Sequence, residues 1–328
     1  MSKEIEVCFI TSTSDVNIAS FRMWVKDLAL YFNKLGTKAY INQLPDKIKS
    51  NVVIILGKSD IDKCNDYKKK YPNNLIGIIN PEGGISYKAD FIITGSVEEK
   101  DSLSMNKNVY IFPLIENQYR KINQKIHNDK AEIVIGIHGS YTHLSKVNPH
   151  LKKALEEFSQ NVRISLKIIS NPMPKKWVDG KPKIKNIVVS DYNFTTFSND
   201  ILKCDIGLVP NITDNSPLFK KTSKTKGLYK NDFFFRFKNK SNSGRMFAFI
   251  QHGIPVIADL TPSHLHILGN PENGFAVFNK DGWLNALKEL SNARIRNTIS
   301  KNALSEFNRL YDPLKWAAKL INDILKIR

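Results

Sequence analysis

The sequence predicts an α/β protein with two doubly wound domains, each a parallel sheet covered by helices. Short, nearly continuous apolar runs alternate with segments whose apolar residues recur at helical spacing. The length of 328 residues fits two domains, because domains usually contain about 100–200 residues. A polar stretch at 115–131 separates two such series. We therefore expect one domain over 1–125 and a second over 130–312, facing each other across a cleft, with ligands at the carboxyl ends of the sheets.

The first domain begins with a predicted strand at Glu6–Thr11. A helix at Phe21–Leu35 follows, since its apolar side chains share one face and Gly36 suits a helix C-terminus. The other strands are continuous hydrophobic runs, which is typical of a sheet with both faces buried. These runs are Lys38–Asn42, Val52–Gly57, Leu75–Ile79, Phe91–Thr94 and Val109–Phe112.

The second domain repeats the alternation of strands and helices, which again favours a parallel sheet. Its predicted strands are Glu132–His138, Ser165–Ser170, Asn186–Ser190, Asp205–Val209, Ile254–Ala258 and Gly274–Phe278. Its predicted helices are about Val147–Phe158, Thr195–Lys203, Gly244–His252, Asp281–Leu290 and Ala293–Leu310, and a last helix at Pro313–Ile327 ends the chain.

The net charge of +18 indicates an anionic partner: a nucleic acid, an anionic membrane surface or a phosphorylated substrate. The alternative is a merely lysine-rich surface. Between Lys220 and Arg245 the sequence has nine basic residues and one acid, Asp232, so the charge is locally concentrated. No nucleic-acid-binding motif accompanies it, so we expect no nucleic-acid partner. The three cysteines, far apart and odd in number, show no metal or redox spacing.

The segment from Asp232 to Asp259 is the most informative part of the sequence. It reads as a basic loop, a short helix, Gly253 and a buried strand. A helix N-terminus attracts anions, and Arg245 in the first turn is unfavourable without an anion to offset it. The pattern thus predicts a diphosphate site, and a solvated basic loop before an ordinary helix is the alternative. The residues at the predicted helix start are Lys240, Ser241, Asn242, Ser243, Gly244 and Arg245.

This segment resembles the donor-binding signature of GT-B glycosyltransferases, in particular the family-4-like group. Lys240, Asn242 and Arg245 are similar to its basic K-S-N-x-R variant, and the run G-I-P-V-I from Gly253 matches the end of the signature. The resemblance implies two Rossmann-like domains and a nucleotide diphosphate at the helix start. Where many such enzymes have paired glutamates, this chain has Lys240 and Ala248, so the nucleotide ribose would be contacted elsewhere.

Three more segments resemble the same family. The strand ending in His138, Gly139 and Ser140 is similar to the first strand and loop of the donor domain, although His138 could equally be a structural histidine. The run I-L-K-C-D-I-G-L-V-P is similar to a family strand in which Asp205 is structural. Tyr311, Pro313 and Trp316 resemble its closing helix, which implies that residues 313–328 pack back on the first domain.

The resemblance implies sugar transfer from a nucleotide sugar to a saccharide or lipid-linked acceptor, with retention of configuration, in bacterial surface-glycan synthesis. We expect no metal and no cofactor, since the sequence has no D-x-D-type pair at a strand end. Glu82 could be an acceptor-side carboxylate or a turn residue. The candidate catalytic residues are His138, Lys240, Arg245 and Glu82. The candidate binding residues are Gly139, Ser140, Ser241, Asn242, Ser243, Gly244 and Asp259.

Two other enzyme activities and one binding function stay open at this point. The missing glutamates would also suit a nucleotide-sugar epimerase or a phosphoryl-type transferase, and the charge alone would suit a basic nucleic-acid-binding protein. The sequence start reads as a strand and not as a signal peptide, and its apolar runs are far shorter than the ~20 residues of a membrane span. We therefore expect a cytoplasmic protein, which could associate with the inner face of the plasma membrane through its positive charge.

Overall fold

The chain forms two compact units, one of them inserted into the other. The computed structural model describes residues 5–44, 49, 51–79, 89–101, 103, 108–139, 149–170, 181–211 and 242–327. Unit 1 consists of Met1–Asn117 and Tyr311–Arg328, and unit 2 is the continuous stretch Gln118–Leu310. Each unit contains one six-stranded parallel sheet with helices packed on it, which confirms the predicted α/β class.

The sheet of unit 1 has the order β2-β1-β3-β4-β5-β6, and all its neighbouring strands are parallel. Its strands are β1 (Glu6–Ile10), β2 (Ala39–Ile41), β3 (Val52–Leu56), β4 (Leu75–Ile79), β5 (Phe91–Thr94) and β6 (Val109–Ile111). Every residue of β3 and β5 is buried. Their continuous apolar sequences therefore follow from burial on both faces of the sheet.

The first helical region of unit 1 contains a widened turn. Between α1 (Ala19–Phe21) and α2 (Leu28–Lys34), residues Arg22–Asp27 form a π-helix, a rare geometry that marks local irregularity. The buried Arg22 donates from Nε and Nη2 to Glu116 at 3.0 and 2.8 Å and from Nη1 to Val16 O. Two shorter helices follow, α3 (Cys64–Lys70), preceded by a 3₁₀ turn, and α4 (Val97–Asp101).

The sheet of unit 2 has the order β12-β11-β10-β7-β8-β9 and is also parallel. Its strands are β7 (Ile133–His138), β8 (Ile164–Ser170), β9 (Asn186–Asp191), β10 (Ile206–Val209), β11 (Val256–Asp259) and β12 (Phe275–Val277). Its helices are α5 (Pro149–Asn161), α6 (Phe197–Ile201), α7 (Gly244–Gln251), α8 (Pro262–Leu268), α9 (Lys280–Glu289) and α10 (Ala293–Leu310). Helices α5 and α9 cover one face, where Trp283 is fully buried.

A buried carboxylate fixes the segment that enters unit 2. Asp205 accepts from the backbone N of Val134 at 2.9 Å and from Nζ of Lys125 and Lys130 at 3.0 Å each. These contacts lie at the amino ends of β7 and β10. Charged and backbone donors hold the pKa of Asp205 below its usual value despite burial. Asp205 thus attaches the incoming chain to the sheet.

The last helix, α11 (Pro313–Leu325), belongs to unit 1. Asp312 begins it by accepting from the backbone N of Leu314, and Pro313 occupies the first turn, where its missing N–H costs nothing. Its apolar face joins the hydrophobic core formed by β1, β3 and the first helical region. The residues of α11 in this core are Ala317, Leu320, Ile321 and Ile324.

Candidate anion-binding site in unit 2

Three adjacent strands of unit 2 end beside the start of one helix. Strands β11, β10 and β7 are neighbours in the sheet and end at Asp259, Val209 and His138. Helix α7 lies against these ends, because His138 and the residues after β10 contact Arg245 in its first turn. Ligands of parallel sheets bind beyond the carboxyl ends of the strands, so this is the candidate site of unit 2.

The start of α7 is fixed by contacts other than a side-chain cap. Ser243 is its N-cap residue, but the hydroxyl donates to Ser263 O at 3.0 Å and does not cap the helix. Asn242 Oδ1 accepts from the backbone N of Gly244 at 3.2 Å. From Met246 onward the helix is fully buried. The start of the helix is thus set against the first turn of α8, and its dipole favours a negative charge there.

The guanidinium of Arg245 is held by uncharged oxygens. Nη1 donates to Pro210 O at 2.9 Å and Nη2 donates to Asn211 Oδ1 at 2.8 Å. Burial lowers the pKa of Arg245 to about 10, and the nearby Asp259 acts in the opposite direction. The side chain therefore stays protonated at neutral pH. A half-buried cation in a first helical turn is electrostatically unfavourable unless an anion offsets it.

Asp259 ends β11 and is buried in the same group of residues. Its Oδ2 accepts from the backbone N of Asn211 at 2.7 Å. Its carbonyl oxygen lies 2.8 Å from Nδ1 of His264, which must be the protonated nitrogen because a carbonyl only accepts. The Asp259 carboxylate therefore fixes the backbone of Asn211, and the side chain of Asn211 contacts Arg245.

His138 lies at the end of β7 with its ring between two aromatic side chains. The ring centroids of Phe197 and Phe249 are 5.0 and 4.9 Å away, and both are edge-on. Nε2 lies 3.0 Å from Arg245 O and therefore carries the proton. Burial is the main cause that lowers the pKa of His138 to about 3, so the ring is neutral at pH 7. Neutral His138 holds the first turn of α7 in place.

Most of the predicted site residues that the structure describes meet at this point. His138, Asn242, Ser243, Gly244, Arg245 and Asp259 are linked by the contacts above. Gly139 follows β7 with φ = 123°, a conformation that favours glycine. Glu82, Ser140, Lys240 and Ser241 lie outside the described residues, so their roles stay predictions.

Two residues of this group were not predicted from the sequence. Asn211 contacts both Arg245 and Asp259, and Ser263 accepts from Ser243. Asn211 is the first polar residue after a buried strand, which is the local signal that could have identified it. Nothing in the local pattern indicates Ser263, because it meets Ser243 only through the packing of the start of α8 against the start of α7.

The described ranges contain neither a cluster of metal ligands nor a membrane-spanning helix. No group of three or more histidine, cysteine, aspartate or glutamate side chains there is arranged to hold a metal ion. Within the same ranges, no helix has both the length and the apolar character needed to cross a bilayer.

Comparison with known proteins identifies similar structures but no similar sequence family. No protein-family model matches the chain, and no curated protein sequence matches it. A glycosyltransferase from Rickettsia africae superimposes with a TM-score of 0.61 at 11% identity, over 98% of each chain. Anabaena Alr3699/HepE, solved in complex with UDP and glucose, gives 0.60 at 10% identity over 98% of this chain and 100% of that one.

A third similar structure is a TarM variant from S. aureus, solved with fondaparinux, alpha-GlcNAc-glycerol and UDP. It gives a TM-score of 0.55 at 13% identity, over 90% of this chain and 58% of that one. The present chain thus spans little more than half the length of TarM. At these identities the comparisons show the fold, and they confirm the predicted GT-B architecture of two parallel sheets with flanking helices.

Proposed function

We propose that this protein is a glycosyltransferase that transfers a sugar from a nucleotide sugar to an acceptor hydroxyl. The observation that carries the proposal is Arg245, a half-buried cation in the first turn of α7 whose hydrogen bonds within the described residues go to two uncharged oxygens. The dipole of α7 opposes this charge by about 0.3–1 kcal/mol. A diphosphate at the same place would be stabilised by both the helix and the arginine.

The shared fold supports a sugar nucleotide as the source of that diphosphate. Two of the similar structures contain UDP, one of them together with glucose. In this chain the candidate site lies at the carboxyl ends of the strands of unit 2, where doubly wound sheets bind nucleotides. Fold similarity alone does not fix a reaction, so the proposal depends on Arg245 and the helix start.

The chemistry of transfer requires a stabilised leaving group. The bond between the anomeric carbon and the diphosphate oxygen breaks, the acceptor oxygen bonds to that carbon, and the proton of the acceptor hydroxyl passes to the departing diphosphate or to water. Arg245, the predicted partner Lys240 and the N–H groups of α7 would stabilise the departing charge. Neutral His138, with its proton directed at Arg245 O, would keep that turn aligned; its low pKa makes it a poor proton acceptor.

The finer parts of the proposal come from the resemblance to the family-4-like group. They are transfer with retention of configuration, independence from metals and cofactors, and a saccharide or lipid-linked acceptor in bacterial surface-glycan synthesis. Glu82 is the candidate carboxylate on the acceptor side. The net charge of +18 supports an anionic partner, and the inner face of the plasma membrane would provide one near a lipid-linked acceptor.

A thermal-shift screen of UDP-, GDP-, CMP- and dTDP-sugars tests the proposal first. Ligand at 100 times its Kd stabilises a protein by about 2.7 kcal/mol, which gives a clear increase in melting temperature. The sugar nucleotide found in this way is then incubated with saccharide and lipid-linked acceptors. We expect nucleotide release that depends on the acceptor.

The outcomes of this experiment separate the candidate activities. Nucleotide release only with acceptor, together with a new glycoside, supports a glycosyltransferase. Isomerised sugar nucleotide without an acceptor indicates an epimerase instead. If none of the sugar nucleotides binds and the protein instead shifts random duplex DNA in a salt-dependent way, the charge serves nucleic-acid binding and the proposal is wrong.

A further inference from the structure

The acceptors of the Arg245 guanidinium distinguish this site from an ordinary buried ion pair. Buried arginines are usually paired with carboxylates. Here Nη1 and Nη2 donate to a backbone carbonyl and to the side-chain amide of Asn211, both uncharged. A neutral acceptor fixes the direction of the guanidinium without neutralising its charge. Among the described residues no carboxylate hydrogen-bonds to this guanidinium, and the nearby Asp259 acts on its charge only through space, so an anionic ligand can still pair with it.

Asn211 connects this arginine to the nearby carboxylate. Its side-chain oxygen lies 2.8 Å from Nη2 of Arg245, and its backbone N lies 2.7 Å from Oδ2 of Asp259. Asp259 thus holds the backbone of Asn211, and Asn211 in turn holds the guanidinium. Asn211 is itself buried, so this arrangement has little freedom to move.

We propose that Asn211 is a positioning residue that orients Arg245 while leaving it fully charged, and that this makes the site prefer nucleoside diphosphates to monophosphates. The preference follows because Coulomb attraction increases with the negative charge of the ligand. The inference rests on the proposed function, since it assigns the diphosphate of the donor to Arg245. It adds Asn211, a residue that sets the direction and charge of Arg245 and that the resemblance does not supply.

The variant Asn211→Asp tests the charge beside Arg245 separately from the shape of the side chain. Asn211→Asp keeps the shape of the side chain and an oxygen for Nη2, but it adds a negative charge beside the guanidinium. We expect binding of UDP, GDP or dTDP to weaken by about 10-fold or more, since a charge-assisted contact is worth about 1.5–3 kcal/mol. Binding of UMP, GMP or dTMP should weaken by a smaller factor, because less ligand charge is involved.

Stability gives a second readout that a purely structural role would not produce. The new ion pair in Asn211→Asp should leave the melting temperature of the ligand-free protein unchanged or raised, while diphosphate binding falls. Asn211→Ala keeps the charge of Arg245 but removes its anchor. We expect it to weaken diphosphate binding by a smaller factor and to lower the melting temperature.

The matched control is Asn292→Asp. Asn292 is exposed and its side chain accepts from the backbone N of Arg294, a capping contact that aspartate makes equally well. This variant carries the same charge change, so it accounts for the general attraction between a basic protein and an anion. We expect it to leave both diphosphate and monophosphate binding unchanged.

The test is isothermal titration of the six nucleotides into the unmodified chain, into each Asn211 variant, and into Arg245→Ala. The same titrations are repeated with double variants that combine each Asn211 change with Arg245→Ala. The effect of Asn211→Asp should disappear in the Arg245→Ala background, because both changes act on one charge. Equal weakening of monophosphate and diphosphate binding, or an effect that persists without Arg245, would overturn the inference. If the unmodified protein binds a CMP-sugar but none of the diphosphates, the inference alone fails. If it binds none of the nucleotides and none of the sugar nucleotides, the proposed function itself fails, so the two failures are distinguishable.

Discussion

Arg245 places a positive charge in the first turn of α7. Its position opposes the helix dipole, and partial burial removes part of its hydration, yet its hydrogen-bond partners in the described chain are uncharged. A residue with such costs is expected where a bound ligand offsets them. An arginine on the exposed surface would keep its hydration, but it would not favour a ligand at one defined position.

Replacing Arg245 by alanine should therefore affect binding more than folding. We expect Arg245→Ala to weaken nucleoside diphosphate binding by about 10- to 100-fold, the equivalent of about 1.5–3 kcal/mol. Isothermal titration measures the change. Arg294→Ala, at an exposed position on α10, removes the same charge and should leave affinity within about 2-fold. Equal losses in the two variants would show that net charge, and not this position, attracts the ligand.

Gly253 is constrained by both its backbone conformation and its surroundings. Its φ is +72°, and a Cβ there would lie 2.9 Å from Cβ of Gln124 and 3.1 Å from the backbone N of Lys125. Gly36 has a similar φ of +84°, but a Cβ at that position would have nothing within 4 Å among the described residues. The two glycines thus differ mainly in packing.

This pair of glycines gives a direct stability test. Both Gly36→Ala and Gly253→Ala should be destabilised by the left-handed conformation, which costs about 1–2 kcal/mol. Gly253→Ala should lose at least about 1 kcal/mol more, because the entering chain at Gln124 and Lys125 must move. Urea unfolding measures both. Equal losses would mean that the contact with the entering chain is easily relaxed.

The candidate site could be predicted from the sequence only where its signal is local. The helix start and Arg245 were found because a cation in a first turn is unusual in any sequence. Asn211 was missed because its role depends on β10 and α7 lying side by side, 34 residues apart in the chain. The same holds for the Asp259 contact, which joins residues 48 positions apart.

Among the secondary-structure elements, the twelve strands of the described residues were all predicted within a residue or two. Their apolar runs are continuous because both faces of each sheet are covered, so the signal is strong. Three short helices were missed: α3 (Cys64–Lys70), α4 (Val97–Asp101) and α8 (Pro262–Leu268). They have only five to seven residues, and in α8 the buried His264 also interrupts the apolar pattern. The π-helical turn could not be predicted, because its buried Arg22 pairs with Glu116, 94 residues away.

The last helix provides a test of how elements contribute to each unit. Leu320 on α11 is 1% exposed and lies in the core of unit 1, whereas Leu314 on the same helix is 37% exposed. We expect Leu320→Ala to destabilise unit 1 by about 2–5 kcal/mol and Leu314→Ala by less than about 1 kcal/mol. Urea unfolding, followed by labelling of the buried thiols of Cys8 and Cys64, reports on unit 1. Comparable losses would contradict the packing of α11 described above.

Across the full protein, the two units should respond to acid in opposite directions. In unit 2 burial lowers the pKa of His127 and His252 to about 4 and that of His138 to about 3, below the usual 6.5. The unfolded state then binds more protons, so unit 2 loses stability as the pH falls from 6.5 to 4.5. Each imidazole contributes up to about 1.4 kcal/mol per pH unit.

In unit 1 the carboxyl group of Asp27 has the opposite effect on stability in acid. Burial and the charge of Glu116 raise the pKa of Asp27 to about 6, so folded unit 1 binds the extra proton and gains stability as the pH falls toward 4.5. Urea unfolding at pH 6.5, 5.5 and 4.5, each followed by a brief thiol-labelling step at one common pH, measures the free energy of unfolding of both units. Cys204 reports on unit 2, and Cys8 and Cys64 report on unit 1. Parallel loss in both units would contradict the prediction.

The insertion of unit 2 into unit 1 has a consequence for biosynthesis. The ribosome finishes Gln118–Leu310 before it adds α11, although α11 completes the core of the unit that was begun first. Nascent unit 1 therefore waits with an apolar face uncovered while unit 2 is made and can fold. Translational stalling before Pro313 would leave that face open to chaperones, and only synthesis of α11 would close it.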